Sequence, residues 1–321
     1  MFKSLKEKIA ASKKKIVFPE GTDPRILHAA CRLQQEGLLE PILLGSRDAI
    51  LAIGKKLDLR LADLTIIDPQ TYQGQAEMLE AFLERRRGKA TREEGEKLLQ
   101  DENYFGTMLV YLHQADGLVS GAVHTTGETV RPALQIIKAK PDYKVVSGAF
   151  LMLREEEQYL FADCALNIEP DAETLADIAL ASVDTARQFG LDPRVAMLSF
   201  SSKGSAKSAG QEKMAQATQI ALERAPEGLK LDGELQFDAA FVPAVAQQKA
   251  PNSVLGGKAN IFIFPDIQAG NIGYKIAQRL GNFEAIGPIL QGMNQPISDL
   301  SRGCNEEDVY KLAIITAAQA L

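Results

Sequence analysis

Lys15-Ile16-Val17-Phe18, followed by Asp23 and Pro24-Arg25-Ile26-Leu27-His28-Ala29-Ala30-Cys31-Arg32-Leu33, decides the fold. The first run is short and apolar, as a buried strand requires. The second places Ile26, Leu27, Ala30 and Leu33 at helical spacing over 24–36, with Asp23 as N-cap, Pro24 at the first helical position and Gly37 just past the end. A strand that feeds a helix is half of a βαβ unit, and the unit repeats. Further strands are predicted at 41–44 and 65–67, with a helix capped by Ser46 between them and a polar helix over 72–87. A strand at 116–123, a loop at 124–129 and a helix from Pro132 to about 139 follow, while Leu5 and Ile9 mark a short helix over 4–10. This alternation builds a parallel sheet covered by helices.

The rhythm changes at 143–153 and 159–168, two apolar runs separated by Arg154-Glu155-Glu156-Glu157-Gln158 that read as an antiparallel hairpin. A hairpin inside a βα series marks a crossing between domains, and the seam is placed near Val145. Beyond it a second α/β set is expected. Asp171 caps a helix that runs to Gly190, strands fall at 194–200, 261–264 and 285–290, and helices fall at 272–280 and 305–321.

Composition narrows the function. The chain has 321 residues, 45% hydrophobic and 24% charged, enough for the cores of one large or two ordinary domains. Its 36 basic and 42 acidic side chains give a net charge of -6, without the broad basic face that nucleic acid requires. No apolar run approaches the ~18 residues of a membrane span, and no signal-type core follows the basic start. Cys31, Cys164 and Cys304 are far apart, with no Cys-x-x-Cys pair, which argues against a disulfide framework or a thiolate metal site and fits reduced thiols in the cytoplasm. Dinucleotide, P-loop, zincin and nucleophile-elbow motifs are all missing. Of the histidines, His28 and His113 lie in helical patterns and His124 lies in a loop.

Three segments carry polar chemistry. His124-Thr125-Thr126-Gly127-Glu128-Thr129-Val130-Arg131-Pro132 joins a strand to a helix, and its backbone N–H groups, hydroxyls and Arg131 suit an anion; the alternative is a plain surface loop. Ser199-Phe200-Ser201-Ser202-Lys203-Gly204-Ser205-Ala206-Lys207-Ser208 repeats the theme, or merely caps a helix. Asp299-Leu300-Ser301-Arg302-Gly303-Cys304-Asn305-Glu306-Glu307-Asp308 leads into the last helix. There Asn305 and Asp308 have the spacing of a capping box, and Asp299 reads as a turn residue.

With these segments in view, the whole chain resembles the phosphate acetyltransferase (phosphotransacetylase) family. The likeness is carried by Ile16-Val17-Phe18-Pro19-Glu20-Gly21, Thr129-Val130-Arg131-Pro132-Ala133-Leu134-Gln135, Ala162-Asp163-Cys164-Ala165, Lys203-Gly204-Ser205-Ala206-Lys207, Asp232-Gly233-Glu234-Leu235-Gln236-Phe237-Asp238, Phe264-Pro265-Asp266, Gly270-Asn271-Ile272-Gly273-Tyr274-Lys275 and Asp299-Leu300-Ser301-Arg302-Gly303. The resemblance implies reversible acetyl transfer between coenzyme A and inorganic phosphate, giving acetyl phosphate. It also implies a homodimer of two α/β domains, similar to isocitrate and isopropylmalate dehydrogenases, with the site in a cleft between them. The last helix returns in that fold, so the domains are expected at 1–145 plus 299–321 and at 146–298.

Carried over residue by residue, the resemblance implies Ser301 and Arg302 as the catalytic pair and Asp308 as the base for the CoA thiol. Arg131 falls on a phosphate-binding arginine and Arg85 on a second, with Arg86 or Arg87 as alternatives in Arg85-Arg86-Arg87-Gly88-Lys89. Thr126, Thr129, Ser202 and Lys203 complete the expected substrate contacts. No metal or redox cofactor is implied, since CoA is a substrate and thiolate attack needs only orientation and anion stabilisation. A carboxylate of pKa ~4 is a weak base for a thiol of ~8.5, so the role demands help from its surroundings. Rival readings are a butyryl-transferring relative, a non-catalytic acetyl-CoA-sensing module and a dehydrogenase of the same fold.

Overall fold

A computed structural model describes residues 2–321, the Ser4 side chain excepted. The chain divides into two compact units, one running to Lys138 and resuming at Met293–Leu321, the other Ala139–Gly292. The crossings therefore fall at 138/139 and 292/293, rather than near 145 and 299, and the expected hairpin lies inside the second unit. Lys138 (φ 66°) and Gly292 (φ 76°), both outside the ordinary helix and strand regions, stand at the two crossings.

The first unit begins with α1 (Phe2–Ser12), β1 (Lys15–Phe18), α2 (Pro24–Gln35), β2 (Glu40–Leu44), α3 (Arg47–Lys56) and β3 (Thr65–Ile67). It continues with α4 (Gln75–Arg86), α5 (Arg92–Leu98), α6 (Glu102–Tyr111), β4 (Gly117–Ser120), α7 (Thr126–Pro132) and a π turn, Ala133–Ile137. The second unit holds β5 (Ser147–Arg154), β6 (Glu157–Ala162), α8 (Ala172–Gln188), β7 (Arg194–Leu198), α9 (Ala209–Arg224), β8 (Lys230–Leu235), α10 (Phe237–Phe241), α11 (Pro243–Lys249), β9 (Ile261–Ile263), α12 (Ile267–Arg279) and β10 (Glu284–Gln291). The chain then returns with β11 (Ile297–Asp299) and α13 (Glu306–Gln319).

In the first unit the strands are parallel in the order β3-β2-β1-β4-β11. Ile16, Val17 and Phe18 are fully buried, as are Ile26, Leu27 and Leu33 of α2, which packs beside β2. The Asp23 side chain accepts from Arg25 N, so the cap read from the sequence forms. Ser46 stands at the start of α3, but its hydroxyl makes no cap bond. The final helix packs on α1, α2 and β4; Arg32 Nη1 reaches Glu307 Oε2 at 2.6 Å, and its guanidinium lies over the Tyr310 ring.

In the second unit the order is β10-β5-β6-β9-β7-β8. β5 pairs antiparallel with both β10 and β6, while β6, β9, β7 and β8 run parallel. One core lies under α8 and α9, around Leu175, Ile178, Met197 and Ile261. A second gathers aromatic rings, Phe150, Phe161, Phe262 and Phe264. α9 and β8 were not foreseen, because Ser, Gly and charged residues interrupt their apolar pattern.

Candidate active site

Three loops of the first unit leave the carboxyl ends of neighbouring parallel strands β1, β4 and β11, the edge where such sheets place ligands. The β4 loop is shorter than expected. Thr125 caps α7 and forms a capping box with Glu128, so the helix starts six residues ahead of Pro132, which lies at its end and hands over to the π turn. Strand β4 itself stops at Ser120.

The backbone N–H groups of this loop do converge on an anion, but the anion belongs to the protein. Glu20, 4% exposed, accepts from Gly121 N (3.2 Å), Ala122 N (2.8 Å), Val123 N (2.8 Å) and His124 N (2.9 Å), and its Oε1 lies 2.8 Å from His124 Nδ1. Burial opposes the Glu20 charge, yet the His124 ring and the backbone donors outweigh it and hold the carboxyl below its usual range. The hydrogen bond to Glu20 raises the His124 pKa in return. Of the amides in the expected 124–132 segment, only that of His124 is taken by Glu20.

Arg25 holds the third loop. Its Nη1 donates to Arg302 O (2.9 Å) and Cys304 O (3.0 Å), its Nη2 to Ala122 O (2.7 Å), and Asp23 steadies it at 2.8 Å. These bonds fix the main chain from which the exposed Ser301 and Arg302 side chains project. Gly303 N donates to Ser301 Oγ at 3.3 Å. Asn305 and Asp308 complete the capping box of α13, with Asn305 N donating to Asp308 Oδ2 at 2.9 Å and Asp308 N to Asn305 Oδ1 at 3.0 Å. Asp308 is half-buried. Asp299, expected in a turn, ends strand β11 instead.

Arg85 and Arg86 sit in different surroundings. Arg85 Nε donates to Ile136 O and Nη2 to Ile137 O at 2.9 Å, with the guanidinium over the Tyr111 ring, so this side chain staples α4 to the π turn. Arg86 instead lines a cavity of about 620 Å³ with Arg131, Lys89, Lys97 and Tyr104, and its buried Nε has no partner among the described residues. Arg131 is exposed. Of the two expected threonines, Thr126 is exposed, whereas Thr129 is 1% exposed and does not reach solvent.

In the second unit, the β7 loop is closed in the same manner as the β4 loop. Glu234 accepts from Ser201 Oγ (3.1 Å) and Gly204 N (2.7 Å), and Lys203 pairs with Asp232. Ser202 is 4% exposed and accepts from Gln236 N at 3.0 Å. Among the described residues, no group of three His, Cys, Asp or Glu side chains is arranged to hold a metal, and no helix is long and apolar enough to cross a membrane.

Glu20, Asp23 and Arg25 were not singled out from sequence as site residues. The available signals were an acid directly after a buried strand and an Asp-Pro-Arg helix start.

Comparison with known proteins places the whole chain in one family. The phosphate acetyl/butaryl transferase family profile matches residues 1–317. A phosphate acetyltransferase of Bacillus subtilis (strain 168) is 62% identical over 321 residues, covering 100% of this chain and 99% of that one. The structure of a phosphotransacetylase from Streptococcus pyogenes superposes with a TM-score of 0.96 at 58% identity, covering 99% of this chain and 97% of that one. A putative 4-hydroxythreonine-4-phosphate dehydrogenase from Salmonella typhimurium, at 12% identity and a TM-score of 0.58 over 96% of this chain and 99% of that one, shares the fold alone.

Proposed function

We infer that this chain, which belongs to the phosphate acetyl/butaryl transferase family, transfers an acetyl group reversibly between coenzyme A and inorganic phosphate. Acetyl-CoA and phosphate give acetyl phosphate and CoA. The observation that carries the residue assignment is the 300–305 loop, where Ser301 and Arg302 are exposed on a main chain held by Arg25.

In the proposed step both substrates are bound together, and the CoA thiolate attacks the acetyl carbonyl carbon of acetyl phosphate. A carbon–sulfur bond forms, the carbon–oxygen bond to phosphorus breaks, and phosphate leaves with the electron pair. Asp308 takes the thiol proton on Oδ1, leaving Oδ2 in the helix cap. Ser301 donates to the carbonyl oxygen as it gains charge, and Arg302 holds the phosphate with its planar fork. Arg131 and Arg86 supply positive charge in the first-unit cavity, with Arg86 in the role the resemblance offered to Arg85. Thr126 is positioned to add a hydroxyl. CoA acts as substrate and the step needs no resident cofactor.

The assembly is proposed as a homodimer in the cytoplasm. Ile272, Ile276 and Leu280 are 57%, 53% and 81% exposed at four-residue spacing along α12 and its end, an apolar stripe suited to a second copy of the chain. All three cysteines are free and buried, which accords with a reducing compartment.

The test is thioester formation from acetyl phosphate and CoA, followed by ultraviolet absorbance, for the wild type beside Arg302→Ala. Rapid turnover in the first and a large loss in the second supports reaction and site together. CoA binding without turnover points to a sensing module, and a preference for butyryl over acetyl phosphate points to the longer-chain reaction.

A further inference from the structure

Three orphaned polar groups meet behind the Ser301–Arg302 loop. Among the described residues, neither carboxylate oxygen of Asp299 makes a well-formed hydrogen bond, nor does Ser120 Oγ or Thr129 Oγ1, and all of these atoms are buried. Asp299 is 1% exposed, Thr129 1% and Ser120 0%. Asp299 faces Ser120 across the β4–β11 ladder. Its carboxylate lies so close to the start of the β4 loop that a Cβ on Gly121 (φ +111°) would fall 2.5 Å from Asp299 Oδ1. The hydroxyls of Thr126 and Thr129, on the helix that carries Arg131, approach the same carboxylate without closing a full bond.

A buried carboxylate with no firm partner is costly, and a fold retains one where the charge does something. We propose that Asp299 is a positioning residue, whose carboxylate draws the Thr126 and Thr129 hydroxyls toward the end of β11 and so sets Arg131 against Ser301 and Arg302. A single residue separates Asp299 from Ser301 and a single one separates Thr129 from Arg131, so a shift at this contact passes directly into both loops. The proposal rests on the assignment of Ser301, Arg302 and Arg131 made above.

The working form is the ionised one, since a carboxylate accepts from both hydroxyls at once. Burial raises the Asp299 pKa to about 6, with the charge of Glu20 adding to it and the two threonine hydroxyls opposing it. Around it, β4 presents Ser120 and Gly121, α7 presents Thr126 and Thr129, and the β1 loop presents Glu20, itself tied to His124. On α13, Thr316 is neutral and bonded to Ser298. A carboxyl with a raised pKa destabilises the fold in full above that pKa, and the penalty shrinks as pH falls from there toward the ordinary 3.8.

The experiment compares wild type, Asp299→Asn, Thr129→Val, their double variant and Arg302→Ala in acetyl phosphate turnover from pH 5.5 to 8.5, with thermal unfolding at pH 8. Asp299→Asn is expected to lose at least ~10-fold in kcat/KM at pH 8 while its Tm equals or exceeds that of the wild type. The wild-type fall in activity on acidification below about pH 6 should be missing from the Asn variant. Thr129→Val should reproduce the loss, and the double variant should be no worse than either single one. Wild-type kcat/KM in Asp299→Asn overturns the proposal, as does a Tm that falls in step with activity, which is the mark of a merely structural group. If Arg302→Ala retains turnover, the site assignment itself fails and this proposal fails with it; loss in Arg302→Ala with none in Asp299→Asn sinks only the proposal.

Discussion

Nδ1 of His124 lies 2.8 Å from Oε1 of Glu20, inside the ring of backbone N–H groups that the same carboxylate collects from residues 121–124. The pair has a defined pH window. The lowered Glu20 pKa contributes stability above its ordinary 4.5 that is lost as pH falls through the folded value. The raised His124 pKa contributes stability that is complete below its ordinary 6.5 and is lost as pH rises through the folded value. His124→Gln should therefore lower Tm more at pH 6 than at pH 9. Glu20→Gln leaves several N–H groups without their anion, and a loss of ~3 to 5 kcal/mol, or about 10 °C, is expected at pH 6. Equal Tm values for Glu20→Gln and the wild type by calorimetry would remove the loop's central support.

Ser301 and Arg302 offer the converse case. Arg25 grips the carbonyl of residue 302 and not its side chain, so truncation should leave the loop where it is. Ser301→Ala and Arg302→Ala should each reduce kcat by ~10² to 10³, with Tm within about 1 °C of the wild type. A large Tm drop in either variant would mean that these side chains support the fold.

Asp308 combines two roles that different substitutions separate. Asn305→Ala removes the cap acceptor and should cost ~1 kcal/mol of stability with little change in kcat. Asp308→Asn keeps an oxygen for the cap but cannot take a proton, so kcat should fall by ~10² or more while KM values and Tm move little. Parallel losses of stability in both variants, with turnover retained in Asp308→Asn, would reduce the aspartate to a helix cap.

Arg85 and Arg86 should respond in opposite ways. Arg85→Ala frees the Ile136 and Ile137 carbonyls and should lower stability by ~1.5 to 3 kcal/mol with an unchanged KM for acetyl phosphate. Arg86→Ala should raise that KM ~10-fold with Tm preserved. Steady-state kinetics and a thermal melt on the two proteins decide between the neighbours.

Local signals made much of the fold legible. Asp23, Pro24 and Gly37 punctuate α2 from within a few residues, and the formed cap confirms that reading. Thr125 and Glu128 carry an equally local signal, a capping box, but a reading that fixes on Pro132 as a helix start overlooks it. Contacts remote in sequence were beyond reach. Glu20 meets His124 across 104 positions and Arg25 meets Arg302 across 277, and no periodicity records such pairs. The two loops rich in hydroxyls, Gly and basic residues read as sites for an outside anion, and composition cannot say that Glu20 takes the His124 amide of the first or that Glu234 holds Ser201 and Gly204 of the second.

The Arg25 clamp has a further consequence for how this protein can change. Its three carbonyl acceptors, on residues 122, 302 and 304, exist whatever side chains those positions bear. Path and chemistry are thus under separate control: drift or deliberate redesign can rewrite the groups that meet the substrate while the track that presents them stays put. The loop is an interchangeable tool head on a fixed mount, and selection for a different acyl group or anion can work there without first rebuilding the fold.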